Sequence, residues 1–237
     1  MKILYDYQIF YLQKYGGISN YFVSLINNLV QLNHNCKIIA PIHVSETLSS
    51  IKRNIVEGIN INKKNKLTSS IYRLINEFFF EYRSVKFKPD LVHHTYYNKR
   101  FHFYNTKRVS TVYDLIHENY YNQINVKKKA IDFSDHLICI SKNTQKELID
   151  YYNVDEKKTS VVYLASKFKI NENEILKKNI IEPYLLFVGD RFKYKNFKRF
   201  IKSISSSKLL KNNIKIVCFG VYPFTKDELN YINSENL

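Results

Sequence analysis

Short apolar, β-branched runs recur along this chain and alternate with stretches whose apolar residues return every three to four positions. Six runs have the length and make-up of strands: 2–7, 36–40, 91–94, 109–113, 137–140 and 161–163. Between them the spacing predicts helices over 18–32, 70–83, about 126–133 and 143–152, the last opened by Ser141 as N-cap. Strands alternating with helices imply βαβ units and a doubly wound, Rossmann-like parallel sheet. The pattern pauses in the polar stretch 166–182 and restarts at Pro183 with YLLFVGD, a helix over about 196–206, the strand IKIVCFG and a short helix near 225–232. The expected organisation is α/β throughout. A Rossmann-like domain covers 1–165, a linker 166–182, and the start of a second Rossmann-like domain 183–237, short of the roughly 100–150 residues such domains use.

Composition narrows the class. With 45% hydrophobic residues in 237, a packed core is affordable, and 5 Gly with 4 Pro exclude collagen-like and low-complexity chains. No apolar run approaches the roughly 18 residues of a membrane span, and MKILYDYQIF lacks the apolar core of a signal peptide, so the expected location is the cytoplasm. Cys36, Cys139 and Cys218 sit apart inside apolar runs, without ligand spacing, and read as reduced core residues; no metal is expected. The charge changes the picture more: 37 Lys+Arg against 21 Asp+Glu give +16. That surplus suits phosphates, nucleic acid or an acidic membrane face, and equally a composition rich in Lys, Asn and Ile. Residues 183–237 carry ten basic against four acidic side chains, a surplus denser than in the rest, which fits an anionic ligand there.

The chain has no Walker loop, GxGxxG, HExxH or GxSxG. His93 and His94, adjacent at a strand end, point to opposite faces, one to the core and one to the cleft. Gly16 and Gly17 precede the helix at 18, where a backbone approaches a phosphate closely; an ordinary loop explains them as well. Arg191 and Lys195 bracket the turn after YLLFVG, either as a diphosphate clamp or as a solvated basic helix start. Asp114, His117 and Glu118, in TVYDLIHE beyond another strand, suit proton transfer or sugar hydroxyls; the bland alternative is loop capping by Asp114 and solvent exposure for Glu118.

Taken in order, KYGGISNYFVSLI, PDLVHHTYY, TVYDLIHE, SDHLICISKNTQKELIDYYNVDEKKTSVVYLA and PYLLFVGDRFKYKNFKRFI resemble glycosyltransferase family 4, retaining enzymes of the GT-B type with two Rossmann-like domains. The resemblance implies an acceptor-binding first domain and a donor-binding second one. It implies transfer of a mannose-like or similar hexose from a nucleotide diphosphate sugar to a lipid-linked saccharide in cell-surface polysaccharide biosynthesis. No cofactor, metal or nucleic acid is expected to take part. Gly16 and Gly17 are implied to approach the donor diphosphate, and Arg191 and Lys195 to stabilise the departing phosphate. Tyr113, Asp114, His117 and Glu118 are implied to contact sugar hydroxyls, with Asp114 and His117 in the catalytic group.

Two departures stand out. Tyr113 replaces the histidine of the usual HDL, and the family's two glutamates seven residues apart belong downstream of Gly220, beyond this sequence. The second domain is therefore expected to be cut short, the chain alone to transfer poorly, and a separate chain to supply the missing half. The alternative is a non-catalytic partner subunit or an acidic-membrane-surface binding module. Peripheral attachment to the inner membrane face is expected through Lys99, Arg100, Lys107 and Arg108 around FHFYNT and through the basic run 127–129.

Overall fold

The apolar run at the N-terminus forms β1 (Lys2–Tyr5), with Ile3, Leu4 and Tyr5 buried in a computed structural model of the chain. The structure describes residues 1–61, 65–97, 106–121, 127–166, 182–191, 193–220 and 222–237, and divides into two compact units, Met1–Lys169 and Ile170–Leu237. After β1 come α1 (Gln8–Leu12), α2 (Gly17–Gln31), β2 (Asn35–His43), β3 (Val56–Asn60), α3 (Lys66–Phe87) and β4 (Leu91–His94). The first unit continues with β5 (Lys107–Val112), α4 (Ile116–Tyr121), α5 (Lys128–Phe133), β6 (His136–Cys139), α6 (Lys142–Tyr152) and β7 (Thr159–Val161). All seven strands are parallel, in the order β3-β2-β1-β4-β5-β6-β7. The winding reverses between β1 and β4, where Ile3 faces Leu91 and Tyr5 faces His93. At such a switch point the loops after the strands diverge and leave a crevice at the carboxyl edge.

Tyr5, Phe10, Phe22, Ile38 and Phe80, each at most 1% exposed, anchor the core on the β1 side, and Val112, Leu115, Leu137 and Leu148 anchor a second cluster beside β5 and β6. Ser141 caps α6 as its sequence predicts, accepting the Thr144 N–H at 3.1 Å. The spacing does not announce β3. Its VEGIN is polar, half-exposed edge structure with Gly58 at φ +151°, where a Cβ would lie 1.7 Å from the Ala40 carbonyl oxygen. The β2–β3 register also shifts between Ile39 and Ile42, so no alternation survives for the eye to read. α3 outruns its predicted span of 70–83 at both ends because Asn65 caps it, accepting the Thr68 N–H at 2.8 Å, and Lys88 closes it in the left-handed region.

In the second unit β8 (Tyr184–Val188) pairs in parallel with β9 (Lys215–Phe219); α7 (Phe197–Ser205) and α8 (Lys208–Asn213) lie between them in sequence, and α9 (Lys226–Ser234) follows. Phe187 meets Phe197 and Phe200 with ring centroids 5.1 and 5.3 Å apart, and Phe197, Ile201 and Ile204 are buried. Of the expected linker, only Ser166 and Glu182 are described residues. No helix among the described residues is long and apolar enough to cross a membrane.

Candidate functional site

The loops that leave β1, β4 and β5 at their carboxyl ends carry the polar groups of the first unit. After β1 the chain makes the short α1 and then enters α2 through Gly16, an extended N-cap with no side-chain cap. Only the flexible Gln13 side chain would meet a Cβ at Gly16, and nothing lies within 4 Å of one at Gly17. Neither glycine is required by backbone strain. No described side chain accepts from the Gly17 or Ile18 N–H, while Gln13 Oε1 accepts the Ser19 N–H at 3.4 Å, so the Gln13 side chain covers part of the positive end of this 15-residue helix.

A group that the sequence reading missed stands beside this loop. Asp6, the residue after β1, is fully buried and accepts from the Thr95 N–H at 3.0 Å, the Thr95 hydroxyl, the Gln8 N–H at 3.3 Å and His94 Nδ1 at 2.8 Å. Burial alone would raise the Asp6 carboxyl pKa, but the His94 ring and Thr95 outweigh it and hold the group below the usual carboxylate range. The one signal in the sequence is an acid placed directly after the apolar KILY. The neighbouring histidines divide as their adjacency implies. His93 is buried, its Nε2 2.9 Å from the Thr111 hydroxyl and its ring edge-on to Phe22, and burial pushes its pKa down to about 3. His94 keeps 11% of its side chain exposed.

The segment after β5 departs from the expectation in several places. Tyr113 is a core residue, 8% exposed, with its hydroxyl buried and its ring edge-on to Tyr21, so it presents no hydroxyl to a sugar at the surface. Asp114 caps α4, accepting the Ile116 N–H at 3.1 Å, while 47% of its side chain stays exposed. His117 lies half-buried in the first turn of α4. Glu118 is not solvated, and both of its oxygens are engaged within the fold. It is 1% exposed, and its two oxygens accept from Lys127 Nζ at 2.7 Å and from the Tyr152 hydroxyl at 2.6 Å. Lys127 also donates to the Asp114 carbonyl at 2.6 Å, with its ammonium 5.2 Å from the centre of the Tyr97 ring. The basic run 127–129 thus loses its first cation to the interior. Arg108 pairs with Asp135 at 3.0 Å, and Lys99 and Arg100 lie outside the described residues.

In the second unit the expected clamp is unequal. Arg191 Nε donates to Glu228 at 3.0 Å, its Nη2 reaches the carbonyls of Tyr222 and Pro223 at 3.1 and 2.8 Å, and its guanidinium lies 4.4 Å from the centre of the Phe224 ring. Only 7% of the Arg191 side chain is exposed, and the pair holds the Glu228 carboxyl below its ordinary range. Lys195 is exposed and has no ionic or hydrogen-bonding partner among the described residues.

A family model described as Glycosyltransferase Family 4 matches residues 15–165. Over 76 residues the chain is 30% identical to the O-antigen chain mannosyltransferase RfbU of Salmonella typhimurium, a stretch amounting to 32% of this chain and 20% of that protein. The structure resembles the apo form of the lipopolysaccharide outer core galactosyltransferase WaaB, with a TM-score of 0.58 at 12% identity over 100% of this chain and 65% of that one. It also resembles the UDP-GlcNAc 2-epimerase from Neisseria meningitidis bound to UDP-GlcNAc, with a TM-score of 0.56 at 13% identity over 99% and 76% of the two chains. These structural likenesses carry the fold alone, the Rossmann-like α/β architecture of GT-B enzymes. The chain spans about a fifth of the mannosyltransferase and 65% of the galactosyltransferase.

Proposed function

The chain belongs to glycosyltransferase family 4, and on that premise we propose that it takes part in retaining transfer of a hexose from a nucleotide diphosphate sugar to a lipid-linked saccharide of a cell-surface polysaccharide. The observation that carries the reading is that the matched segment, 15–165, takes in the N-terminus of α2, where the Gly17 and Ile18 N–H groups have no described side-chain acceptor, and the polar loops after β4 and β5. In this reading the first unit receives the acceptor, with Asp114 and His117 toward its hydroxyls. Gly16 and Gly17 bring backbone N–H groups to the diphosphate. Lys195 stands free to receive phosphate, and Arg191 joins it only by giving up Glu228. In the transfer the bond from the anomeric carbon to the donor phosphate oxygen breaks as the acceptor hydroxyl forms its bond on the same face. The hydroxyl proton passes to the departing phosphate, and charge stabilisation there is the main catalytic lever. The likeness to an epimerase bound to UDP-GlcNAc supports a nucleotide sugar as donor, and the partial match to a mannosyltransferase supports a hexose. The test is transfer from radiolabelled UDP- and GDP-hexoses to extracted lipid-linked saccharides. Label appearing in the lipid fraction with retained anomeric configuration supports the reading; inverted product overturns the retaining assignment.

Attachment to an acidic membrane face is part of the same proposal, and α3 supports it better than the loops first expected to serve. Asn76, Phe80 and Ser84 bury one face of this helix, and Asn76 bonds both the N–H and the carbonyl of Ile42. On the opposite face Leu67, Ile71, Leu74, Phe78, Tyr82 and Val85 are each at least 57% exposed and fall within an arc of about 80° on a 3.6-residue helix. An apolar stripe on a chain of net charge +16 suits an anionic bilayer. Co-sedimentation with anionic but not neutral vesicles, lost in Phe78→Glu, is the expected result. Equal partitioning to both vesicle types overturns it.

A further inference from the structure

The Asp6 carboxylate is fixed from four directions, by Gln8, the Thr95 N–H, the Thr95 hydroxyl and His94, and Thr95 is itself tied to the α1 backbone through the Ile9 N–H at 3.1 Å. These residues lie at or just beyond the carboxyl ends of β1 and β4, the two strands that flank the switch point. A carboxylate only accepts hydrogen bonds, so the nitrogen it faces, His94 Nδ1, carries a proton. In the neutral ring that leaves Nε2 with a bare lone pair. No described residue bonds Nε2, and 11% of the side chain is exposed. His93 shows what a histidine of purely internal role looks like here: fully packed, with its Nε2 against Thr111. His94 instead has one nitrogen anchored by a rigid buried acid and the other without a partner among the described residues. Tyr113, one strand away, keeps its hydroxyl buried and offers nothing equivalent.

We propose that His94 Nε2 is the hydrogen-bond partner of a hydroxyl of the acceptor saccharide, and that Asp6 is the positioning residue that holds Nδ1 protonated and sets the ring's direction. The inference rests on the acceptor-binding reading of the first unit. The assignment is one of binding and orientation, and no proton is transferred to the ring.

The test uses the full chain with ¹⁵N-labelled histidine, and mannobiose and galactobiose as probes. The free protein is expected to show His94 with Nδ1 protonated and hydrogen-bonded to Asp6. Addition of at least one disaccharide is expected to move the His94 Nε2 resonance and leave that of His93 in place. His94→Phe should weaken disaccharide binding about tenfold, the size of one lost hydrogen bond. His94→Gln, which keeps a donor and an acceptor, should recover part of it. Asp6→Asn should lose the fixed tautomer and weaken binding by a similar factor; should that variant not fold, the His94 pair decides the matter. A disaccharide that shifts other residues of the first unit while Nε2 stays put, or that binds His94→Phe as well as the parent, overturns this inference and leaves the acceptor reading standing. Absence of any shift in the first unit with either probe overturns the acceptor reading and this inference with it.

Discussion

Asp6 with His94, and Glu118 with Lys127, are built from similar parts: a buried acid placed after a parallel strand and a basic partner brought to it at 2.8 or 2.7 Å. They differ in what is left over. Around Glu118 each oxygen has its donor, Lys127 is 1% exposed and divides itself between Glu118 and the Asp114 carbonyl, and Tyr152 completes the ring of contacts. That cluster is closed, and its work is to fasten the loop after β5 to α5 and α6. Around Asp6 the acid is equally well held, but the base keeps a nitrogen that has no partner among the described residues at the carboxyl edge. Spare hydrogen-bonding capacity, rather than burial or residue type, distinguishes a group that can meet a ligand from one that supports the fold.

The strongest way to break this comparison is to open the closed cluster. Lys127→Met strands a buried carboxylate and should destabilise the first unit by about 3–5 kcal/mol in urea unfolding, while Lys127→Met combined with Glu118→Gln should recover much of the loss. A loss under about 1 kcal/mol for the single variant would mean that Glu118 is not sealed.

Next in size is the pH dependence set by His93. Its folded pKa, about 3, lies below the ordinary value near 6.5, so between those limits the unfolded chain binds a proton that the folded chain does not. Stability should therefore fall as pH drops through that window, by up to about 1.4 kcal/mol per pH unit from this group. Denaturant midpoints measured at steps of pH should trace the slope, and His93→Gln should flatten it. Asp6 acts at the acid end. Its folded pKa is lowered, so its contribution is present above the ordinary carboxylate range and disappears as pH falls through the folded value.

The same contrast recurs in smaller form in the second unit, where Arg191 is engaged by Glu228 and Lys195 is not. Lys195→Ala is expected to weaken UDP or GDP binding about tenfold by calorimetry, the scale of one charge-assisted contact. Glu228→Gln should strengthen it by about threefold by releasing the guanidinium, at a stability cost near 1 kcal/mol or less. Unchanged affinity in both variants would remove the pair from the phosphate site.

The alternation of β-branched runs with helical spacing determined the class of fold, because burial of one helix face or of a parallel strand imposes a period that neighbouring residues display. It located β1, β4, β5, β6 and β7 to within a few residues, and Ser141 marked the start of α6 because an N-cap bonds only three residues away. The motif order from KYGGISNYFVSLI to PYLLFVGDRFKYKNFKRFI likewise named the family whose model matches 15–165. What the sequence left open was the use of each charged residue. Glu118 and Lys127 read as a site acid and a surface cation, and they proved to be each other's buried partners. Arg191 read as a clamp, and its acid stands 37 residues on, in a helix whose placement depends on the second unit's packing. Asp6 and His94 are 88 residues apart, and only the pairing of β1 with β4 at the switch point brings a carboxylate to an imidazole there. Periodicity is a local record of burial, whereas a hydrogen bond across 88 residues depends on strand register, and register is decided by the whole sheet as it packs.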